Sequence, residues 1–168
     1  MAIPIDLTKI HWSGVGIAEF QVHGQQAIKD LLASDATATV TINQQAEILH
    51  DVDDRRVALT LHIQMQAMAG QPARKAGIAG SFEIQLFFDV ENLADLLLAI
   101  DGQPTPVVHP QLGLMLAGIA YSTVRGILWT RLAGTPLEGI SLPIIEPRSL
   151  FLASPPAKRT KKASTKKG

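Results

Sequence analysis

The chain contains no cysteine. That absence removes a disulfide framework, a thiolate zinc site and a cysteine nucleophile, and it fits a reducing compartment. Other signatures are missing as well. The opening "MAIPIDLTKIHW" has neither the basic start nor the ~7–15-residue apolar run of a secretory signal, so the expected location is cytoplasmic. His11, His23, His50, His62 and His109 show no zinc-site spacing. "HDVDDRR" gathers His50, Asp51, Asp53 and Asp54 but lacks the sixth-position glycine and distal glutamate of a calcium loop, and it reads as a solvated turn. "GVG" at Gly14 to Gly16 lacks the rest of a dinucleotide loop, and no phosphate-binding lysine loop occurs. Ser122 has no histidine or acid nearby in sequence to activate it. The expectation is a non-enzyme with no metal and no cofactor.

The formal net charge of zero conceals a division. Lys158, Arg159, Lys161, Lys162, Lys166 and Lys167 crowd the last eleven positions, and all fifteen acids precede them. The body through Ala157 therefore carries nine basic and fifteen acidic residues, a net of −6. "ASPPAKRTKKASTKKG" has too few apolar residues to offset the entropy of ordering. The expected division is one domain over 1–153 and a disordered basic tail over 154–168. Those lysines suit phosphate neutralisation, but the tail has no aromatic residue for base stacking. A solvated extension that folds back on the acidic body is the competing reading.

The middle of the chain reads as sheet. In "VALTLHIQMQA", Val57, Leu59, Leu61, Ile63 and Met65 alternate with Thr60, His62, Gln64 and Gln66, the period of a strand with one buried face. "GIAGSFEIQLFFD" repeats it, and the threonine-rich "ATATVTINQQAEIL" precedes both. Short turns join the three, which requires an antiparallel meander, because parallel neighbours need a crossover of about a dozen residues. Upstream, "KIHWSGVGIAEFQVH" predicts a first strand bent or bulged near Gly14 and Gly16. "GQQAIKDLLASDA" has room for a short helical turn.

The most apolar segment, "GLMLAGIAYSTVRGIL", predicts a long helix from about Pro110 to Leu132, started by proline and stopped at Gly134. Its strongly apolar part is shorter than the ~20 residues of a membrane span, so it is expected in protein. Two stripes line it: Leu112, Met115, Leu116, Ile119, Thr123 and Ile127, then Leu114, Ala117, Gly118, Tyr121 and Leu128. One sheet covers one stripe. The second either meets another subunit through Leu114, Ala117, Gly118, Tyr121, Arg125 and Leu128, or lies under the chain's own connecting segments; the subunit contact is the reading adopted. A buried Arg125 needs a counter-ion, so an ion pair is expected there.

The order of elements resembles the bacterial export chaperone SecB and its SecB-like relatives over about residues 9–152. The resemblance is carried by "LGLMLAGIAYSTVRGILWTRLAGTPLEGISLPIIEPRSLF", with its mid-helix arginine, Gly-Thr turn and Leu-x-Pro step before a short helix ending Leu-Phe. "SFEIQLFFDVENLADLL" adds to it. It implies an α+β fold, a four-stranded antiparallel sheet beside a long and a short C-terminal helix, assembled as a homotetrameric dimer of dimers. It also implies an ATP-independent holdase for unfolded polypeptides in protein export, with SecA as partner, or a dedicated antitoxin chaperone. SecB tails that meet SecA bind zinc, whereas this tail has no Cys, His or acid, which counts against SecA docking.

A holdase needs apolar surface left open to clients. Leu137, Ile140, Leu142, Ile144 and Ile145 fall in "TPLEGISLPIIEP", where four prolines and glycines prevent long regular structure. They either bind clients or cap the core beneath the helix. Trp12, Ile17 and Phe20 on the first strand are the candidate partners by resemblance, and Trp12 fits a core position equally. Leu150 and Phe151 are expected to anchor the final helix.

Overall fold

The computed structural model describes residues 5–34, 37–102 and 104–152. The basic tail expected at 154–168 lies outside them. Strands β1 (Ile10–His23), β2 (Ala38–Asp51), β3 (Arg56–Ala69) and β4 (Arg74–Val90) form one antiparallel sheet in the order β1-β4-β3-β2. The meander β2-β3-β4 is as expected. β1 pairs on the far side of β4, so the segment between β1 and β2 must carry the chain across the sheet. That segment holds α1 (Gln25–Ala33), a nine-residue helix rather than a single turn.

Strict alternation buries one face. Val57, Leu59, Leu61, Ile63 and Met65 of β3 and Ile78, Phe82, Ile84, Leu86 and Phe88 of β4 all lie in the core. β1 keeps its apolar residues on that same face by a different device. Ile10 and Trp12 pair with Val90 and Phe88, Val15 and Ile17 with Leu86 and Ile84, and Phe20 and Val22 with Phe82 and Gly80. One-residue shifts between Trp12 and Gly14 and between Ile17 and Glu19 restore the phase twice. Each is a bulge in which the extra residue turns the strand back to its face.

Helix α2 (Pro110–Arg131) starts at His109, whose ring accepts from the Gln111 N–H at 3.3 Å, and passes through Leu132 to Gly134 at φ +74°. By length and composition it is apolar enough to cross a membrane, which corrects the length argument made from sequence. It packs on the sheet. A methyl on Gly113 would stand 3.1 Å from Ile48 of β2, and Tyr121 bonds Gln44 of the same strand. Eight helical residues advance ~12 Å while four strand residues advance ~13 Å, so the helix runs along β2 in the opposite direction.

The two-stripe reading needs correction. The buried face is Leu112, Gly113, Leu116, Ala117, Ala120, Tyr121, Val124 and Leu128, which takes members from both. Ala117, Tyr121 and Leu128 are buried by their own chain and are out of reach of a partner subunit in this packing. Part of the cover comes from the connector that follows Gly134. Leu137 reaches over Gly80 of β4, the Pro143 carbonyl meets Tyr121, and Pro147 lies against Gly118. The connector thus runs back along α2 before α3 (Ser149–Leu152) packs on β2. Leu150 is buried there and Phe151 is exposed, so only the first anchors it. Between β4 and α2, Leu93 and Leu96 of a 3-10 turn plug the core, and β5 (Leu97–Leu98) pairs with β6 (Val107–Val108).

Two glycines make this packing measurable. A Cβ at Gly80 would stand 2.6 Å from the Phe82 ring and 2.7 Å from Leu137 Cδ1, so Gly80→Ala should destabilise by about 1–3 kcal/mol through overpacking. Gly126 has open space and sits inside α2, so Gly126→Ala should stabilise by about 1 kcal/mol. Urea unfolding of both variants checks the pair of signs.

Candidate functional site

The covered part of the sheet ends before β1. Trp12 is 58% exposed although its cross-strand partner Phe88 is buried, and Ile17 is 37% exposed beside buried Ile84. Val15 lies between them and is exposed too. The three form an apolar ledge along the edge of the core. Trp12 Nε1 donates to the Gly14 carbonyl at 2.7 Å, so the one polar atom of the indole is satisfied at the bulge and the ring is left as apolar surface. Phe20 closes the ledge, half-buried with its ring 4.9 Å from that of Phe82.

Residues 113 and 121 of α2 face β2, at the opposite end of the strand order from β1. At 100° per residue, Ile119, Thr123 and Ile127 fall on the flank turned away from β2. Ile119 is exposed, and Thr123 and Ile127 are half-buried. This flank and the β1 ledge are the apolar surface left over when a single helix lies on four strands.

The connector divides differently from expectation. Leu137 and Leu142 are both 1% exposed and belong to the core, which they cap. Ile140 and Ile145 are half-buried against it. Ile144 is 84% exposed. Of the five candidates, then, only Ile144 presents its side chain to solvent.

Tyr121 ties the layers together. Its hydroxyl lies 2.8 Å from Gln44 Oε1 on β2 and 2.9 Å from the Pro143 carbonyl oxygen. One hydroxyl proton serves one acceptor, so both contacts are satisfied when the Gln44 amide is turned to donate to the phenol and the phenol donates to Pro143. Burial raises the Tyr121 pKa above its ordinary value, against the opposing effects of the Gln44 hydrogen bond and the Arg125 charge.

Arg125 has no ion pair among the described residues, which corrects the expected counter-ion. It is half-buried one turn beyond Tyr121 and lines an open groove of about 510 Å³ with Ser122, Gly126, Trp129 and Ser141. Leu114 and Gly118, the remaining interface candidates, are half-buried. Sequence reasoning missed Val15, Trp129 and the grouping around Arg125. Trp129 was legible as a large aromatic two residues before a helix end, but nothing in the pattern placed Ser141 beside it. On the opposite sheet face, His62 lies 3.5 Å from Glu83 and 4.0 Å from Glu47, a polar surface spanning three strands.

No family model and no curated protein sequence matches the chain. Solved structures do. The SecB-like chaperone Rv1957 of Mycobacterium tuberculosis, in complex with a ChAD peptide from the Rv1956 HigA1 antitoxin, aligns with a TM-score of 0.57 at 12% identity, over 82% of this chain and 91% of that one. The fold is SecB-like. At that identity the likeness concerns the fold, an α+β arrangement of four antiparallel strands and a long helix. A protein of unknown function from Streptococcus agalactiae aligns over 80% of this chain and 97% of its own at 9% identity, with a TM-score of 0.28, too dissimilar in shape to bear on the fold.

Tyr121 is the sole tyrosine of the chain, so phenolate absorbance reports it alone. The midpoint should exceed 10.0 in the native protein and fall toward that value in urea. Because the folded state holds the proton more tightly, the Tyr121 contribution to stability should be fully present below pH ~10 and be lost as the pH rises through its folded-state midpoint. A native titration at or below the unfolded one would reject the burial of the phenol under the connector.

Proposed function

We propose that this SecB-like protein is an ATP-independent, non-enzymatic chaperone of the cytoplasm that holds extended, unfolded polypeptides on its apolar ledge. The observation that carries the reading is the exposure of Trp12, Val15 and Ile17 on a strand whose cross-strand neighbours are fully buried. Contiguous apolar surface on a soluble protein marks an interaction site. Each aliphatic side chain that a client buries contributes about 1.5–3 kcal/mol in transfer terms, less the cost of ordering both chains. Few polar contacts line the ledge, so breadth of clientele follows. In this reading the protein works as a homo-oligomer whose contacts fall to the exposed flank of α2 around Ile119, since the stripe through Ala117, Tyr121 and Leu128 is already covered.

A second reading is a dedicated chaperone of one antitoxin. It is favoured by the antitoxin peptide bound to the mycobacterial chaperone that shares the fold.

The test follows aggregation of a denatured, slow-folding protein without ATP as this protein is added. Saturable protection near a fixed ratio is expected. Trp12→Asp combined with Ile17→Asp should raise the protein needed for equal protection by at least about tenfold, a two-anchor loss, and Trp12→Asp with Val15→Asp, at the two more exposed positions, repeats the test with circular dichroism as the check of fold. Protection unaltered by the double substitution rejects the ledge. Absence of protection at any ratio, with tight binding to a single antitoxin, selects the second reading.

A further inference from the structure

The sheet has a second face, turned away from the core, and its middle is open to solvent. Three neighbouring cross-strand rows cross it, from Gly16 to Glu47, from Glu19 to Gln45 and from Gln21 to Asn43. They hold Glu19, Glu47 and Glu83 and no lysine or arginine. Glu19 stands directly opposite Glu83 on the adjacent strand, a pairing of like charges that costs stability. His62 is the only basic side chain in the rows, 3.5 Å from Glu83 and 4.0 Å from Glu47. Glu19 has no ion pair among the described residues. Thr60, between Gln85 and Glu47, is 4% exposed, and its hydroxyl makes no hydrogen bond to another described residue. A like-charge pair beside an unbonded, nearly buried hydroxyl asks for cations that donate hydrogen bonds, which is the chemistry of a lysine ammonium.

We propose that this face is covered by the chain's own basic segment, Lys158 to Lys167, which lays its cations over Glu47, Glu83 and Glu19. That segment lies outside the described residues, and its six cations equal in number the excess of acids in the body. The described chain ends where the return is short. From Pro143 beside Tyr121 to Pro147 beside Gly118, the strap runs toward the end of α2 that lies on Ile48, and α3 then packs on β2. β2 is an edge strand, so a chain leaving Leu152 rounds one strand to reach the outer face. The six residues from Leu152 to Lys158 extend to at most ~20 Å. The four strands beyond lie within three spacings of ~4.8 Å, inside the ~30 Å reach of the segment from Lys158 to Lys167. The acids of the β2–β3 turn are a poorer target, because Arg55 and Arg56 stand among them. Exposed ion pairs are individually weak, but the tether holds the lysines near the face at an effective concentration on the order of millimolar. Docked in this way the tail is neutralised by its own sheet, and a phosphate backbone has to displace the glutamates before it can use the lysines. The ledge is on the opposite face, so the inference does not depend on the chaperone reading.

The test treats the full-length protein with a water-soluble carbodiimide, which joins a lysine amine to a carboxylate in contact with it, and identifies the joined peptides by mass. A mixture of isotopically labelled and unlabelled copies separates links within a chain from links between chains. Links from the tail lysines to Glu47, Glu83 and Glu19 within one chain should outnumber those to Asp53 and Asp54 by about tenfold, the scale of a few exposed ion pairs acting together. They should fall away at ~0.5 M salt. Glu19→Gln combined with Glu47→Gln and Glu83→Gln removes the charge and keeps the shapes. At low salt trypsin should cut the tail of this variant about tenfold faster than that of the parent, and labelled oligo-dT should bind the variant more tightly, because its lysines are free for phosphate. Links spread evenly over the exposed acids, or made mainly between copies, overturn the proposal. So does a tail cut at equal rates in parent and variant, and equal oligo-dT affinity shows a tail already free for nucleic acid. The coupling measurement needs no substitution, so a misfolded variant cannot decide it.

Discussion

A helix with its side chains is about 10–12 Å wide, and four strands spaced ~4.8 Å apart present a face nearly twice as broad. Everything distinctive about this surface follows from laying one long helix on that face. α2 lies over β3 and reaches β2 from one side, where Gly113 admits Ile48 and Tyr121 meets Gln44. The strand order then leaves β1 at the far edge. The buried residues of β3 and β4 lie beneath the helix, the plug of Leu93 and Leu96, and Leu137. Trp12, Val15 and Ile17 belong to the same apolar face and have nothing above them to match. The exposure is a consequence of layer widths and not of any polar character in β1.

The second constraint is the route of the connector. Its prolines and glycines prevent a second long helix, so it returns along α2 as an extended strap fastened at Pro143 by Tyr121 and at Pro147 by contact with Gly118. This strap occupies the place that a partner subunit was expected to take. It also makes the Arg125 groove, because an extended chain beside a helix leaves a furrow where the two curvatures part. The same segment therefore closes the core with Leu137 and Leu142 and opens a surface with Ser141 and Ile144.

The alternation of β3 and β4 was legible because period two over ten residues admits one burial pattern, and the meander followed from turn length. The bend in β1 was visible at Gly14, where one register shift falls, between Trp12 and Gly14; the second shift, between Ile17 and Glu19, carries no glycine and was not foreseen. The pairs Ile10 and Trp12, Val15 and Ile17, Phe20 and Val22 recur every five residues, which is the signal of two bulges at fixed spacing. The nine-residue α1 was read as a turn because so short a helix depends on packing by Ala27, Ile28 and Leu31 more than on propensity. The helix stripes were misassigned because periodicity gives faces and not what covers them. Leu142 and Ile144 sit two residues apart in an irregular segment, one in the core and one in solvent, and no sequence period separates them.

An apolar ledge that remains open has to avoid pairing with its own kind, and β1 has structure suited to that. Its bulges break the regular row of peptide groups that a long flat edge would offer to another strand. The indole of Trp12 is held by its own bulge through the Gly14 carbonyl. On the opposite face the Phe87 ring lies under Gly14 and Gly16, 3.9 and 3.6 Å from where a Cβ would stand, so the strand is backed where it is thinnest. A ledge braced on both sides gives up little conformational freedom when a client lands on it, which leaves more of the transfer energy for affinity. The client, unfolded and extended, then bears most of the ordering cost. Weak apolar contacts suffice under that division only if several are made together, and the row Trp12, Val15, Ile17 along one strand provides that spacing at alternate residues of an extended chain.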